Sequence, residues 1–503
     1  MRRLINHVTT LSHETYNKPH VISFLDVPCI FSSKCLGLLD PQEKIHNGRQ
    51  GFLWSLVDRE DQGTLMNAQF QPFQDIVKLL TGKSWENVIM EDQSFNGTLF
   101  RFPLRSEASE ISDNLYSTDK VVQLFDSFIA DADISPLFLR NVSSLTLMHI
   151  DINDSINIRL EVTSSSPSTG LGLMSGADLN FESSTCFKVI TSKDQEQTKT
   201  TKWLVTTCCM KEGNVTKLDL LAKKLCFRPQ VDLAFQCGQN RVPTDGRLSC
   251  FLPLPNNESN KTGLPVYVNA CFGLTDNRRH IKWQEEDQKY DEAAMWNELL
   301  IEEVLPLAYL TIIQDAINLS KGSSDLSAFS VYGLWPNVSQ TVHKEKWHQV
   351  AVDVLKRLFG ANIPILSLAA DEIQFVSPSE AVCPSYNSLA PEIMAAVTRT
   401  MIFFGEKLVT FPEHVSRAIQ FAFPDPDGLK WVTPDFVRDV LHRDAEFNLS
   451  KEDKLCLLEY ILSDGNYHDL LGLKLLPLSD GTFKSFTDKK DDFVLIDNNT
   501  FQR

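Results

Sequence analysis

Long apolar runs are scarce in this chain of 503 residues. The longest, from Val304 to Ile313, has about half of the roughly 18 residues that suggest a membrane span. The first residues, MRRLINHVTT, begin with an arginine pair but lead into no apolar core of signal-peptide length. We therefore expect no membrane span and no export signal, and we predict a cytoplasmic location.

Positive charge is also in short supply. The chain has 48 Lys and Arg residues against 65 Asp and Glu residues, which gives a net charge of −17. Because an acidic protein repels phosphate backbones and anionic lipids, nucleic acids and bulk membrane surfaces are poor partners. The 11 cysteines are odd in number and irregularly spaced, unlike the disulfide framework of a short secreted chain. Reduced thiols are expected, in agreement with the cytoplasmic location.

The motifs of common catalytic and metal sites are missing as well. The sequence has no G-x-S-x-G, no glycine-rich phosphate loop ending in Lys-Ser/Thr, no H-E-x-x-H and no pair of C-x-x-C motifs. His343 and His348 are five positions apart, which puts them on different faces of a helix, so we interpret them as solvated surface residues. The sequence thus predicts no metal site and no catalytic residue, and we expect that the chain is not an enzyme.

What is present is the pattern of an α+β protein with two or three domains, since single cores stop growing at roughly 250–300 residues. Ile156, Ile158, Leu160 and Val162 alternate with polar residues, which predicts a strand with one buried and one solvated face. Strand signals of this kind dominate the first part of the chain, and helical spacing dominates the last two hundred residues.

The sequence predicts several helices from apolar stripes, and it also predicts where some of them begin or end. Lys344–Phe359 is the clearest helix, because its apolar residues form one stripe and Gly360 is well placed to end it. A second apolar stripe begins at Trp296, and Pro306 within it predicts a kink or a break. Helix starts are predicted where a capping residue precedes an apolar stripe: Ser117 or Thr118, Thr433 before Pro434, and Ser450 with Asp453.

Four stretches are distinctive when they occur together in one order. They are LDPQEK (Leu39–Lys44), NGTLFRFPLR (Asn96–Arg105), TGLPVYVNACFGLTDNRRHIKW (Thr262–Trp283) and LPLSDGTF (Leu476–Phe483). The combination resembles the sacsin family of very large co-chaperones, and specifically one of its internal repeat units, over roughly residues 25–500.

The resemblance implies a fold. Each repeat unit of that family begins with a GHKL-type ATPase-like domain, the fold of the ninety-kilodalton heat-shock chaperones. We therefore expect an incomplete GHKL (Bergerat-type) α/β sandwich in residues 1–175, a mixed α/β middle domain in residues 176–290, and a mainly helical region in residues 291–503.

The resemblance also implies that the ATPase machinery is absent. A GHKL site needs an acidic base and a magnesium-binding asparagine on an early helix, then a D-x-G-x-G turn, all upstream of the Asp-Val-Pro found here at Asp26. The residues before Asp26 supply none of these, so the sandwich is expected to lack its first half. Mg²⁺ neutralises and orients nucleotide phosphates, so without its ligands no ATP turnover and no cofactor are expected.

Three residues could remain from a nucleotide site. Thr98 resembles the threonine that helps hold adenine in the GHKL fold, and Arg278 and Arg279 follow a segment similar to the one whose arginine reaches the γ-phosphate. The alternatives are that Thr98 is an ordinary strand residue and that the arginines form a structural salt bridge.

Three functions follow from these observations. The leading one is a chaperone-like or co-chaperone protein-binding module that assists folding or quality control without turnover of its own. Its partners would be client proteins, with heat-shock chaperones and cytoskeletal proteins as further candidates. The alternative is a nucleotide-binding GHKL-type ATPase, using ATP and Mg²⁺, whose missing half is supplied elsewhere. A degenerate product without independent function is the third.

Overall fold

The structure, a computed structural model, describes positions 3–9, 19–24, 31–33, 78, 82, 98–102, 115, 117–150, 155–166, 181–211, 216–238, 245–284, 290–321, 326–341, 343–369, 373–384, 389–422, 429–443 and 448–488. These residues form two compact units. Unit 1 comprises Met1–Thr262 and Val266–Ile312, and unit 2 comprises Gly263–Pro265 and Ile313–Arg503. The sequence predicts three regions where the structure separates two, so the finer division at residue 175 stays a prediction.

Unit 1 is built on one large sheet of twelve described strands. Their order across the sheet is β11-β10-β12-β9-β8-β7-β6-β5-β1-β2-β4-β3, and the neighbours are antiparallel except β10 with β12 and β2 with β4. The strands are β1 Arg3–Thr9, β2 Pro19–Phe24, β3 Phe31–Ser33, β4 Thr98–Phe102, β5 Ser144–Ile150, β6 Ile156–Ser165, β7 Phe181–Asp194, β8 Thr198–Met210, β9 Gln230–Cys237, β10 Leu248–Cys250, β11 Leu252–Pro253 and β12 Tyr267–Ala270.

The long hairpin β7–β8 forms the centre of this sheet. Its register runs from Phe181 opposite Met210 to Lys193 opposite Thr198. The connecting turn is fixed by Asp194, whose Oδ1 accepts hydrogen bonds from the backbone N–H groups of Glu196 and Gln197, both at 2.8 Å. These bonds favour the ionised carboxylate and hold the pKa of Asp194 below its usual value. An aspartate at this turn therefore sets the register of the whole hairpin.

One face of the sheet is covered by the helix α1, Thr118–Ile129, and the turns that follow it. The helix begins at Ser117, whose Oγ accepts from the backbone N–H of Lys120 at 3.3 Å. Its Val121 and Phe125 lie in one buried cluster with apolar side chains of β5 to β9. The members contributed by these strands are Leu147, Leu160, Val162, Ile190, Trp203, Val205 and Ala234. This cluster is the core of unit 1 on that face.

Further helices follow in unit 1. Helix α2, Lys217–Leu225, is capped by Thr216 and ends at Cys226 in the left-handed conformation. Helix α3, Glu292–Leu299, continues through a π-helical turn, Leu300–Val304, into α4, Leu305–Ser320. The kink or break expected at Pro306 is a π-helical turn directly before the proline, and the helix continues after it. A proline removes one backbone N–H and crowds the preceding turn, which accounts for the irregular hydrogen bonding there. The π-helical turn contacts β8 and β9.

Unit 2 is mainly helical. Its helices are α5 Ala328–Tyr332, α6 Val338–Thr341, α7 Glu345–Gly360, α8 Pro391–Phe403, α9 Glu413–Ala422, α10 Pro434–His442 and α11 Lys451–Leu462, with the last part of α4. Its strands form three two-stranded sheets: β13 Leu366–Ser367 with β14 Phe375–Val376, β15 Val382–Cys383 with β16 Lys430–Trp431, and β17 Leu476–Pro477 with β18 Phe483–Lys484. The α+β class expected from the sequence is confirmed.

Candidate functional site

The residues predicted for a nucleotide site lie in different parts of the sheet. Thr98 begins β4, where its backbone is opposite His20 of β2 and Ser33 of β3. Arg278 and Arg279 lie in the loop after β12. Seven strands separate β4 from β12 in the sheet order, so the topology does not place the threonine beside the arginines.

The two arginines occupy an exposed turn. Arg278 has a φ of 55°, and its backbone N–H donates to the carbonyl of Thr275 at 2.7 Å. The backbone N–H of Arg279 donates to Oδ1 of Asn277 at 3.0 Å. Among the described residues neither guanidinium forms an ion pair. Both the vestigial nucleotide role and the structural salt bridge stay predictions for these two residues.

A concave surface lies elsewhere on unit 1, and we call it the sheet groove. It consists of two adjoining cavities of about 670 Å³ and about 530 Å³, which share the segment 138–140, Val142 and residues at the start of β9. A third cavity of about 410 Å³ adjoins them at Arg228. The floor is formed by β7, β8, β9 and β12, and one wall by residues 137–143.

The sheet groove exists because α1 covers only part of its sheet face. Side chains on a strand alternate between faces, so Ile190 in the core and Lys188 and Cys186 in the groove point the same way from β7. The same parity joins Ala234 in the core to Asp232 in the groove on β9. The groove is therefore the uncovered continuation of the core face, and its polar side chains are those the sequence places at core-facing positions.

A buried carboxylate lies between the first and second cavities. Asp232 is 6% exposed, its Oδ1 accepts from Gln230 Nε2 at 2.8 Å, and its Oδ2 accepts from Asn269 Nδ2 at 2.7 Å. Asn269 in turn accepts the backbone N–H of Phe251 through Oδ1 at 2.7 Å. A guanidinium nitrogen of Arg140 is 3.8 Å from Asp232 Oδ1, beyond hydrogen-bond distance. The two amides therefore hold Asp232, and β9, β12 and the loop at Phe251 share this network.

A lysine of β7 is surrounded by carbonyl groups beneath the groove wall. Lys188 Nζ donates to the carbonyls of Pro136, Leu137 and Leu139 at 2.6, 3.0 and 2.9 Å. Its three donors are thus satisfied by the turns that follow α1, which fixes the wall to the floor. Burial lowers the pKa of Lys188 to about 8, although the nearby Cys186 and Asp232 oppose that shift.

Replacing Lys188 with methionine tests this attachment. The variant leaves three carbonyls without their donor, so we expect the free energy of unfolding of unit 1 to fall by about 1–3 kcal/mol at neutral pH. Between pH 8 and the ordinary lysine pKa of 10.5, the folded state has lost a proton that the unfolded state still holds. Raising the pH through that window therefore stabilises the wild type but not the variant, and the gap between them should widen.

The measurement is urea unfolding at pH 7 and pH 9.5, with pulsed hydrogen exchange read on peptides of β7 and β8. A gap of the same size at both pH values would contradict the lowered pKa of Lys188.

Two arginines line both main cavities of the sheet groove. Arg140 and Arg228 both line the first and second cavities, and Arg228 also lines the third. The Arg140 side chain is 58% exposed. Within the described part of the chain neither guanidinium makes a hydrogen bond. The groove therefore presents two exposed guanidinium groups that donate no hydrogen bond to the described residues.

The described residues contain no group of three or more His, Cys, Asp or Glu side chains placed to hold a metal ion. The interpretation of His348 as a solvated residue is incomplete: it is half-buried, Nδ1 lies 3.2 Å from Thr341 Oγ1, and its ring packs edge-on against Phe421 at 5.6 Å. His343 is exposed, as expected. All nine described cysteines are free thiols.

No helix of the described residues is long and apolar enough to cross a membrane.

Sequence reasoning did not find the sheet groove. One signal was available, because Asp232 is the only charged residue of the apolar strand QVDLAFQC. A charge at a core-facing position needs a partner or a function. The partners of Asp232 and Lys188 come from other strands and from the turns after α1, so their assembly depends on the tertiary fold.

Comparison with known proteins assigns the chain to a class. A family model described as "Sacsin domain" matches residues 19–160, a range that includes the four strands β2 to β5 and the first half of β6. The chain is therefore a sacsin-like protein. Human sacsin is 36% identical to it over 507 aligned residues, which cover 95% of this chain. The chain spans 11% of the length of that relative. No solved structure matches the chain.

Proposed function

We propose that the chain is a chaperone-like protein-binding module, which binds segments of client proteins in the sheet groove and assists folding or quality control without turnover of its own. The observation that carries the proposal is the groove itself, which consists of two adjoining open cavities on the core-facing side of the sheet. Each of its two main cavities falls within the roughly 300–1,000 Å³ of ligand sites, and the two adjoin, which suits a ligand longer than a single side chain.

The lining supports a polypeptide ligand. Phe138, Val142 and Val205 provide apolar contact, while amides, hydroxyl groups and arginines provide hydrogen bonds. Phe251 lies at the second cavity with 55% of its surface exposed, and Leu252 beside it is 49% exposed. Burying such surface is the main source of affinity in protein recognition, and polar groups fix the orientation.

The finer parts of the proposal rest on the resemblance to sacsin. Residues 1–175 would be an incomplete GHKL-type sandwich, and binding would need neither ATP nor Mg²⁺. The partners would be client proteins, and heat-shock chaperones or cytoskeletal proteins are further candidates. A cytoplasmic location is proposed from the nine free cysteines of the described residues, because secreted chains usually pair theirs.

Phe251→Asn tests the proposal. The φ of Phe251 is 65°, a region that asparagine tolerates better than phenylalanine, so the substitution removes the exposed ring without straining the loop. We expect it to weaken binding of an unfolded model client about tenfold or more, since burying a phenylalanine contributes roughly 1.5–3 kcal/mol. Binding is measured by fluorescence anisotropy with a labelled, permanently unfolded client.

Leu220→Ala is the matched control. Leu220 is 59% exposed on α2 and lines neither main cavity, so its loss should leave client affinity unchanged. Binding in the groove would be refuted if both variants weakened client binding equally, or if neither variant weakened it. Adding Mg²⁺ and ATP should not change the affinity, and a client affinity that required them would favour the ATPase alternative.

A further inference from the structure

The residues that line the second cavity of the sheet groove carry a net positive charge, in contrast to the acidic chain as a whole. Among its lining residues only Arg140, Arg228 and Asp232 are charged. The chain as a whole carries a net charge of −17, so a site with two cations and one anion runs against the general field. The other carboxylate among the residues that line the groove, Glu182, lines the first and third cavities but not the second.

The one anion of this cavity is already satisfied. Asp232 is 6% exposed, and each of its oxygens accepts a hydrogen bond from an amide, of Gln230 at 2.8 Å and of Asn269 at 2.7 Å. The distance of 3.8 Å to Arg140 adds attraction but no hydrogen bond. Arg140 therefore keeps its donors for a ligand, and Arg228, which is exposed, has no described partner that competes for it.

We infer that the second cavity binds an acidic side chain of an extended client segment, with Arg140 and Arg228 holding the carboxylate and an adjacent apolar residue packing on Phe251. The inference rests on the proposed function and names the class of segment that the groove prefers. A planar guanidinium matches a carboxylate with two parallel hydrogen bonds, and such charged pairs are stronger than neutral ones.

The arrangement also predicts where the apolar contact falls. Phe138, Val142 and Phe251 line the same cavity as the two arginines. A carboxylate that enters between the arginines is therefore flanked by apolar surface, which lowers the local dielectric and strengthens the pair. A segment with an acidic residue next to an aliphatic or aromatic one satisfies both requirements.

The test compares two labelled peptides that differ at one position, Glu or Gln, next to a leucine, with acetylated and amidated ends. For the whole chain we expect the Glu peptide to bind about tenfold more tightly at low salt, the size expected for one charge-assisted pair. The ratio should fall towards one in Arg140→Gln/Arg228→Gln and in high salt, which screens exposed charges. Lys193→Gln is the control, because Lys193 is exposed on β7 and lines none of the three cavities.

The outcomes separate this inference from the proposed function. Equal binding of both peptides to the wild type would overturn the inference and leave the protein-binding function standing. No binding of either peptide or of the unfolded client would overturn both. A third peptide, with Gln and a free C-terminal carboxylate, identifies the source of the anion: a gain in affinity for this peptide alone would show a chain end in place of an acidic side chain.

Discussion

Asp131→Asn is expected to destabilise unit 1 by about 3–5 kcal/mol, because it removes the counter-ion of a buried arginine. Arg247 is 5% exposed, and its two terminal nitrogens donate to Oδ1 and Oδ2 of Asp131 at 2.6 and 2.8 Å. Its Nε donates to the carbonyl of Leu254 at 2.7 Å. With asparagine at position 131 one of the paired bonds is lost and the guanidinium charge stays buried without compensation.

The pair connects distant parts of the chain. Asp131 lies in the turns after α1 and Arg247 lies directly before β10, so the bond ties one wall of the core to the far strands of the sheet. To read the stability of unit 1 by itself, the measurement is urea unfolding with pulsed hydrogen exchange on peptides of β9 and β12.

The matched control is Asp133→Asn, two residues further along the same turns. Asp133 pairs with Lys199, whose side chain is 56% exposed, so its loss should cost less than about 1 kcal/mol. Similar losses of unfolding free energy in the two variants would show that the burial of Arg247 does not make its ion pair more important than an exposed one.

Local features of the fold could be predicted from the sequence because local chemistry determines them. Thr433 and Ser450 are predicted as helix caps, and Ser117 is one of two candidates together with Thr118. Each of Ser117, Thr433 and Ser450 accepts a hydrogen bond through its side chain from the N–H three residues later. Helix α7 spans Glu345–Gly360 against the predicted Lys344–Phe359, and its predicted apolar stripe is buried. Capping and periodicity depend on residues within one turn of each other, which a single sequence shows directly.

Burial that depends on tertiary contacts was predicted less well. In β6 all four alternating apolar residues were expected on a buried face, but Ile156 and Ile158 are 44% and 51% exposed while Leu160 and Val162 are 1% exposed. The alternation is real, yet the core reaches only the second half of the strand. The register of β6 against β5 shifts between Leu147 and Met148, so Ile156 and Ile158 lie beyond an irregularity that the spacing within β6 does not reveal.

The candidate site shows the same limit. Thr98, Arg278 and Arg279 were selected by resemblance to a motif, and the sheet groove contains none of them. Asp232 is the only charged residue of β9, and Lys188 lies between Phe187 and Val189 in β7. The Asn269 amide and the carbonyls that hold these two side chains come from other elements of the fold. A buried charge in an apolar strand could flag a site, but only the fold shows its partners.

Asp464→Asn is the second change with a large expected effect, and it acts on unit 2. Arg438, in helix α10, is only 1% exposed, although the sequence shows it only as a charged residue next to Asp439. Its terminal nitrogens donate to the two carboxylate oxygens of Asp464 at 3.1 and 2.5 Å, and one also donates to the carbonyl of Ile461 at 2.8 Å. Breaking this pair leaves a buried charge, and we expect unit 2 to lose about 3–5 kcal/mol.

Asp435→Asn is the control, because it removes an exposed carboxylate that contacts the same guanidinium as Asp464. Asp435 contacts the same guanidinium at 3.1 Å, but its side chain is 70% exposed, so its loss should cost about 1 kcal/mol or less.

The hydrogen bond with Arg438, followed by that from the N–H of Asn466, holds the pKa of Asp464 below its usual value. The stability from Asp464 is therefore complete above the ordinary carboxyl pKa and is lost as the pH falls through the lowered one. The difference in unfolding free energy between wild type and Asp464→Asn, measured on peptides of α10 and α11, should narrow in acid, whereas a difference independent of pH would show that the carboxylate charge is not what stabilises Arg438.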